Sequence, residues 1–259
     1  MQVLKDKIVF ISGASSGIGK ACAEAFARAE TKLILCARNI DKLTEVARDL
    51  GETYQVPIVT LALDVRDKGA VDAAIESLPA DWKRIDILIN SAGLARGLEK
   101  LYQGNTDDWD EMIDTNVKGL LYLTRKIVPT MVESGVNGHV VNIGSTAGLH
   151  AYPNGAVYCA TKAAVQFISD GLRMDVVDTP IRVTNIQPGM TQSNFSVVRF
   201  HGDLQKANSI YEGITPLAAS DIADVVLYAA SAPPNVQICE VTVTPTHQAT
   251  GRVMYKEKK

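Results

Sequence analysis

The sequence predicts a single α/β domain of the Rossmann type: a doubly wound parallel sheet of about seven strands with helices on both faces. Three observations carry that expectation. Short β-branched apolar runs alternate with longer helical stretches from end to end. A glycine-rich turn joins the first run to the first helix. No linker, low-complexity tract or internal repeat divides the 259 residues, a length that α/β chains often keep as one domain.

The elements follow in order, with strands expected at 8–12, 32–37, 58–63, 85–90, 139–143, 181–187 and 238–243. Helices are expected at 18–29, 41–50, 67–78, 107–132, 156–177 and 221–230. The first strand runs into Ser12-Gly13-Ala14-Ser15-Ser16-Gly17-Ile18-Gly19. Glycines there allow a tight turn and close backbone approach, and the following helix N-terminus presents N–H groups to phosphate. Ser15, Ser16 and Ile18 fall inside the same turn. The second strand ends Leu35-Cys36-Ala37-Arg38-Asn39. An acidic residue near this point would hold a ribose 2′-hydroxyl. Ala37 cannot, whereas the guanidinium of Arg38 suits a 2′-phosphate, so NADP(H) is expected rather than NAD. The alternative is that Arg38 simply begins a solvated loop.

The third strand closes on Asp64 and Val65, read as adenine contacts or, for Asp64, as a turn or capping residue. The fourth contains Ile85-Asp86-Ile87-Leu88-Ile89, apolar enough to be buried on both faces as a parallel sheet requires. It ends in Asn90-Ser91-Ala92-Gly93, where small residues let a cofactor ribose approach; Asn90, Ala92 and Gly93 are taken as cofactor contacts. The fifth ends Asn142-Ile143-Gly144-Ser145, placing a hydroxyl at a strand end. Right-handed crossovers then wind these strands into one sheet.

The helix over 156–177 carries Tyr158 and Lys162, which share one face at i and i+4. A phenol ordinarily titrates near 10, and a neighbouring ammonium together with the positive nicotinamide ring of an oxidised cofactor lowers that value toward useful acid–base chemistry. Taken alone, the pair reads rather as a packed tyrosine and a snorkelling lysine. With Ser145 and the glycine turn in the same chain, it reads as a catalytic centre.

After the sixth strand, residues 190–216 depart from the alternation, with a short helix expected at about 204–211. An insertion of this length overhanging the strand ends is read as a substrate lid. Within it Arg199 suits a carboxylate clamp or, alternatively, a surface or subunit contact. His150, Asn154 and Gln192 are further candidates for the pocket rim.

Composition narrows the partners. A net charge of −3 supplies no basic field for nucleic acid, and a mean hydropathy of +0.05 with no long uncharged apolar run argues against a membrane protein. The N-terminal residues lack the pattern of a signal peptide. Cys22, Cys36, Cys159 and Cys239 form no C-x-x-C pair, which suits reduced thiols and a cytoplasmic location. No metal site is expected. Lys256-Glu257-Lys258-Lys259 reads as a solvated charged tail.

With these residues in view, the chain resembles a short-chain dehydrogenase/reductase across essentially its whole length. The resemblance rests on Gly13, Gly17, Gly19, Asp64, Asn90-Ser91-Ala92-Gly93, Asn116, Ser145, Tyr158, Lys162 and Pro188-Gly189. It implies that Asn116 joins Ser145, Tyr158 and Lys162 in catalysis, through a water in a proton relay from Lys162. It further implies that Lys162 binds the nicotinamide ribose and that Pro188, Gly189, Met190 and Ser193 line the nicotinamide. Ser91 and Ser193 stand where the family usually has asparagine and threonine.

A narrower resemblance rests on Asp114-Thr115-Asn116, Gly144-Ser145-Thr146-Ala147-Gly148, the lid segment Phe195-Ser196-x-Val198-Arg199-Phe200-x-Gly202, and Pro245-Thr246-x-Gln248. It is to NADP-dependent 3-hydroxy acid dehydrogenases acting on serine, allo-threonine or 3-hydroxyisobutyrate, whose relatives reduce aldehydes, ketones and diketones. That implies a small hydroxy acid or carbonyl substrate bound through Ser145, Tyr158 and the lid. It also implies a homotetramer joined through the long helices. The competing expectations are a broad-specificity NADPH-dependent carbonyl reductase, a carrier-protein 3-oxoacyl reductase, and a non-catalytic NADP sensor.

Overall fold

The computed structural model describes residues 2–251 and 253–256; most of the charged tail, 257–259, lies outside them. Seven parallel strands form one sheet in the order β3-β2-β1-β4-β5-β6-β9. In chain order the strands are β1 (Ile8–Ser12), β2 (Lys32–Ala37), β3 (Ile58–Ala62), β4 (Ile87–Asn90), β5 (His139–Ile143), β6 (Arg182–Pro188), the two-residue β7 (Thr191–Gln192) and β8 (Leu217–Ala218), and β9 (Glu240–Val243). The helices are α1 (Gly17–Arg28), α2 (Ile40–Tyr54), α3 (Lys68–Glu76), α4 (Thr106–Ile113), α5 (Leu120–Ser134), α6 (Ala156–Asp175), α7 (Phe195–Arg199), α8 (Leu204–Ser209) and α9 (Ala219–Ala230).

Burial follows position in the sheet. Every residue of β1, β4, β5 and β6 is buried, as helices on both faces demand, while the edge strands β3 and β9 are only partly covered. One core layer joins Phe26 of α1, Leu43 and Val46 of α2, and Ile222 and Val226 of α9 to one sheet face. The other joins Val71 and Ile75 of α3 to Leu123, Ile127 and Met131 of α5 on the opposite face. The strand order reverses direction between β1 and β4, and at such a switch point the carboxyl ends of the strands leave a crevice for ligand.

Two expectations change in detail. The single helix over 107–132 is broken: α4 and α5 are separated by a π-helical segment, Asp114–Gly119. Such widened turns often mark functional sites, and this one contains Asn116. The segment 190–216, expected to be a lid, is a closed excursion, because Thr191 pairs with Leu217 and Gln192 with Ala218 at its base. It holds two short helices, α7 as well as the expected α8.

Candidate active site

A cavity of about 910 Å³ runs from the glycine turn past Ser145 and Tyr158 to the lid, within the range of cofactor and ligand sites. Its cofactor end is built from backbone. Gly13 has φ +68°, and a Cβ there would stand 3.0 Å from the Ala92 backbone; one at Gly19 would strike the Gly13 carbonyl. Helices α2, α3 and α4 are each capped by a side chain, those of Asn39, Asp67 and Asn105. Ser16, the N-cap of α1, makes no such bond. The first-turn N–H groups of α1 are thus left for a ligand, and a helix N-terminus favours an anion.

Ser15, Ser16, Ile18, Arg38, Asp64, Val65, Ala92, Gly93, Pro188, Gly189, Met190 and Ser193 all line this cavity with the three glycines. Arg38 is half-exposed there. Asp64 is held by Arg66, whose Nη2 lies 2.6 Å from Oδ2 and whose Nε lies 3.0 Å from Oδ1. Burial raises the Asp64 pKa, but the hydrogen bonds and charge of Arg66 outweigh it and leave the carboxyl below its ordinary value. A glycine cradle, an uncapped helix end and an exposed arginine at the end of β2 fit a dinucleotide bearing a 2′-phosphate.

Asn90 stands apart. It is buried below the cavity, where its Nδ2 donates to Asn142 Oδ1 at 2.9 Å and to Thr124 Oγ1 at 3.3 Å. Asn142 Nδ2 in turn donates to Ser169 Oγ. It ties β4 to β5 and two helices, while neighbouring Ser91 reaches the cavity wall.

Ser145, Tyr158 and Lys162 converge on the cavity as expected. Ser145 Oγ accepts from Ala147 N at 3.1 Å and donates to the Pro188 carbonyl at 3.4 Å. The expected lowering of the phenol by Lys162 is not what the polypeptide produces. Burial pushes Tyr158 above its ordinary value, with a smaller contribution from Tyr152, against opposing effects of Arg199 and Ser145. Lys162 Nζ instead donates to the Ile143 carbonyl at 2.8 Å, and burial lowers the ammonium to about 8. Reaching phenolate therefore takes more positive charge than the folded chain supplies at Tyr158.

Asn116 is fastened rather than free. Its Nδ2 donates to Leu94 O and Thr161 Oγ1, and its Oδ1 accepts from Leu94 N. Gly93 leaves a small space between it and the lysine: a Cβ there would lie 3.3 Å from Asn116 Oδ1 and 3.4 Å from Lys162 Nζ.

Three rim candidates do not reach the cavity. His150, Asn154 and Gln192 are exposed and absent from its walls. The Asn154 backbone is left-handed, φ +66°, in the turn before α6, and Gln192 lies in the strand pair at the foot of the lid. Tyr152, Phe195 and Gln248 take their place on the walls. Arg199 enters an aromatic box: its guanidinium carbon lies 5.0 Å from the Tyr158 ring, 5.3 Å from Phe195 and 5.8 Å from Tyr152. Its Nη2 donates to Tyr152 Oη at 2.6 Å, while its buried Nε has no partner among the described residues. Gln248 Oε1 accepts from Met190 N at 2.7 Å, tying the C-terminal segment to the lid's first residue. Gln248 belongs to the Pro245-Thr246-x-Gln248 run, so a signal existed; Tyr152 had none beyond its nearness to Ser145.

Comparison with known proteins agrees with this geometry. Residues 7–202 match the family model for short chain dehydrogenases. An NADP-dependent 3-hydroxy acid dehydrogenase of Schizosaccharomyces pombe is 42% identical over all of both chains. Sulfoacetaldehyde reductase 2 of Chromohalobacter salexigens is 42% identical over 93% of this chain and 95% of its own. The closed form of a serine dehydrogenase complexed with NADP+ superposes with a TM-score of 0.90, at 40% identity, covering 97% of this chain and 100% of that one. The chain belongs to the short chain dehydrogenase family and is an oxidoreductase of that class.

Proposed function

We propose that the protein is an NADP-dependent dehydrogenase that interconverts the 3-hydroxyl and 3-oxo groups of a small hydroxy acid such as serine, allo-threonine or 3-hydroxyisobutyrate. The observation that carries the acid substrate is Arg199, whose guanidinium sits 5.0 Å from the Tyr158 ring with a buried Nε unpaired. A guanidinium with a buried, unpaired Nε beside the reacting group calls for an anion, and a carboxylate matches its fork. Relatives named for 3-hydroxy acids, serine and sulfoacetaldehyde all act, by those names, on small molecules bearing an acidic group.

NADP would supply the hydride acceptor for the carbinol carbon in oxidation and, in its reduced form, the hydride donor for the carbonyl carbon. Gly13, Gly17 and Gly19 with the N-terminus of α1 would hold its pyrophosphate, and Arg38 its 2′-phosphate. The chain's own part is proton handling and orientation. Ser145 Oγ fixes the substrate oxygen, and Tyr158 Oη takes its proton in oxidation or supplies one in reduction. Lys162, at about 8, stands in position to exchange that proton through the space beside Gly93 and Asn116. Arg199 fixes the carboxylate, so that the carbinol carbon has one orientation.

We further propose a homotetramer in a reducing, cytoplasmic setting. Leu121 and Val132 of α5 and Phe167 and Met174 of α6 leave apolar side chains exposed, and the four cysteines are unpaired. Light scattering tests the assembly directly. The substrate is tested by an NADP-coupled screen of serine, threonine isomers, 3-hydroxypropionate and 3-hydroxyisobutyrate beside alcohols without a carboxylate. Faster turnover of the acids is expected. Preference for the uncharged alcohols would replace this reading with a broad carbonyl reductase.

A further inference from the structure

Glu111, on α4, joins two parts of the site that are far apart in the chain. Its Oε2 accepts from Arg96 Nε at 2.6 Å. Its Oε1 is shared at longer range by Arg38 Nη1 at 3.5 Å and Arg66 Nη1 at 3.6 Å. The carboxylate is mostly buried, and its pKa is held down chiefly by the Arg96 hydrogen bond, with burial opposing. Arg96 carries the connection to the lid, donating from Nη1 to the Val198 carbonyl at 2.6 Å. The next residue, Gly97, donates its N–H to the Arg199 carbonyl at 3.0 Å. These two carbonyls close the last turn of α7, the helix that carries Arg199 over Tyr158.

We propose that Glu111 is a positioning residue that transmits occupancy of the 2′-phosphate site to the lid. The inference rests on the reading of Arg38 as the 2′-phosphate contact. One carboxylate faces three guanidinium groups, so its attraction is divided. A phosphate dianion drawing the half-exposed Arg38 away from Oε1 leaves more of that charge to Arg96 and Arg66. Arg96 is then held more firmly, and so is the end of α7. By linkage, a hydroxy acid under the lid tightens the 2′-phosphate group by the same factor. The expected factor is roughly 5 to 10, at the low end for coupled sites.

The structure supplies its own reporter. Trp109 packs on the same small cluster, Leu94, Ala95 and Met112, as Phe195 and Val198 of α7, and Trp82, the other tryptophan, packs in a different core layer. In a Trp82→Phe parent, adenosine 2′,5′-bisphosphate is expected to change Trp109 emission, whereas saturating AMP, which lacks the 2′-phosphate, is not. Calorimetry runs in parallel. Glu111→Gln should bind the bisphosphate as tightly or more tightly and lose the emission change, and Arg96→Met, which leaves Arg38 a larger share of the Glu111 charge, should lose it while binding the bisphosphate no more tightly than the parent. In turnover, Glu111→Gln should raise KM for the hydroxy acid about 5-fold with no rise in KM for NADP. A bisphosphate that binds the parent without moving Trp109, or moves it equally in Glu111→Gln, overturns the coupling alone. Equal affinity for bisphosphate and AMP overturns the Arg38 reading beneath it.

Discussion

The cofactor end and the lid end of the cavity are built by different means. At the glycine turn the ligand surface is backbone, and its specificity comes from side chains that are missing: Gly13 and Gly19 would not tolerate a Cβ. At the lid the surface is side chain, with Arg199 held among Tyr152, Tyr158 and Phe195. Backbone cradles need a particular local spacing, so they leave a mark in the sequence. An aromatic box assembled from residues 152, 158, 195 and 199 leaves almost none. The first end suits any dinucleotide enzyme of this fold, and in the proposed function the second would decide which alcohol is oxidised.

Substitutions that strike the shared chemistry should have the largest effects. Tyr158→Phe is expected to cost about 10³- to 10⁴-fold in kcat, the upper range for general acid–base catalysis, with NADPH still bound by fluorescence titration. Substantial residual turnover would remove the phenol from its role. Gly19→Ala drives a methyl into the Gly13 carbonyl. Overpacking of this kind costs roughly 1–3 kcal/mol, read as a lower denaturation midpoint, and NADPH binding should be lost even where the fold survives.

Lys162 sharpens the comparison through stability. Burial lowers it from 10.5 to about 8, so between these values the unfolded chain binds more protons than the native one. Its contribution to stability therefore rises with pH through that window, by on the order of 3 kcal/mol. Denaturant titrations at pH 7.5 and 10 should show this rise in the wild type relative to Lys162→Met; parallel curves would mean that the ammonium is not desolvated. The smallest effect belongs to the exposed Arg38. Arg38→Leu should raise KM for NADPH about 10-fold, the loss of one charge-assisted contact, and leave KM for NADH unchanged.

The sheet, the glycine turn and the Ser145, Tyr158 and Lys162 set were legible because each obeys a short-range rule: apolar runs, a turn that needs glycine, an i and i+4 helical pair. What eluded the sequence depends on long-range packing. The π segment arises within an unbroken helical pattern, where Asn116 bonds back to Leu94. Asn90 looked like a cofactor contact because it adjoins Ala92 and Gly93, yet strand alternation sends its side chain to Asn142 and Thr124. His150, Asn154 and Gln192 are near the site in sequence while facing solvent. Tyr152, two residues from His150 and Asn154, is the one that turns inward to Arg199.

The claim that the lid arginine makes this a hydroxy acid enzyme is tested most directly by one ratio. It is kcat/KM for 3-hydroxypropionate over that for its methyl ester, measured with NADP in the wild type and in Arg199→Met. The account predicts a ratio well above one that falls by about 10- to 100-fold in the variant, the loss of one desolvated charge pair, with turnover of the ester nearly unchanged. A ratio that is the same in both proteins would contradict it and leave Arg199 a packing residue beneath a general carbonyl reductase.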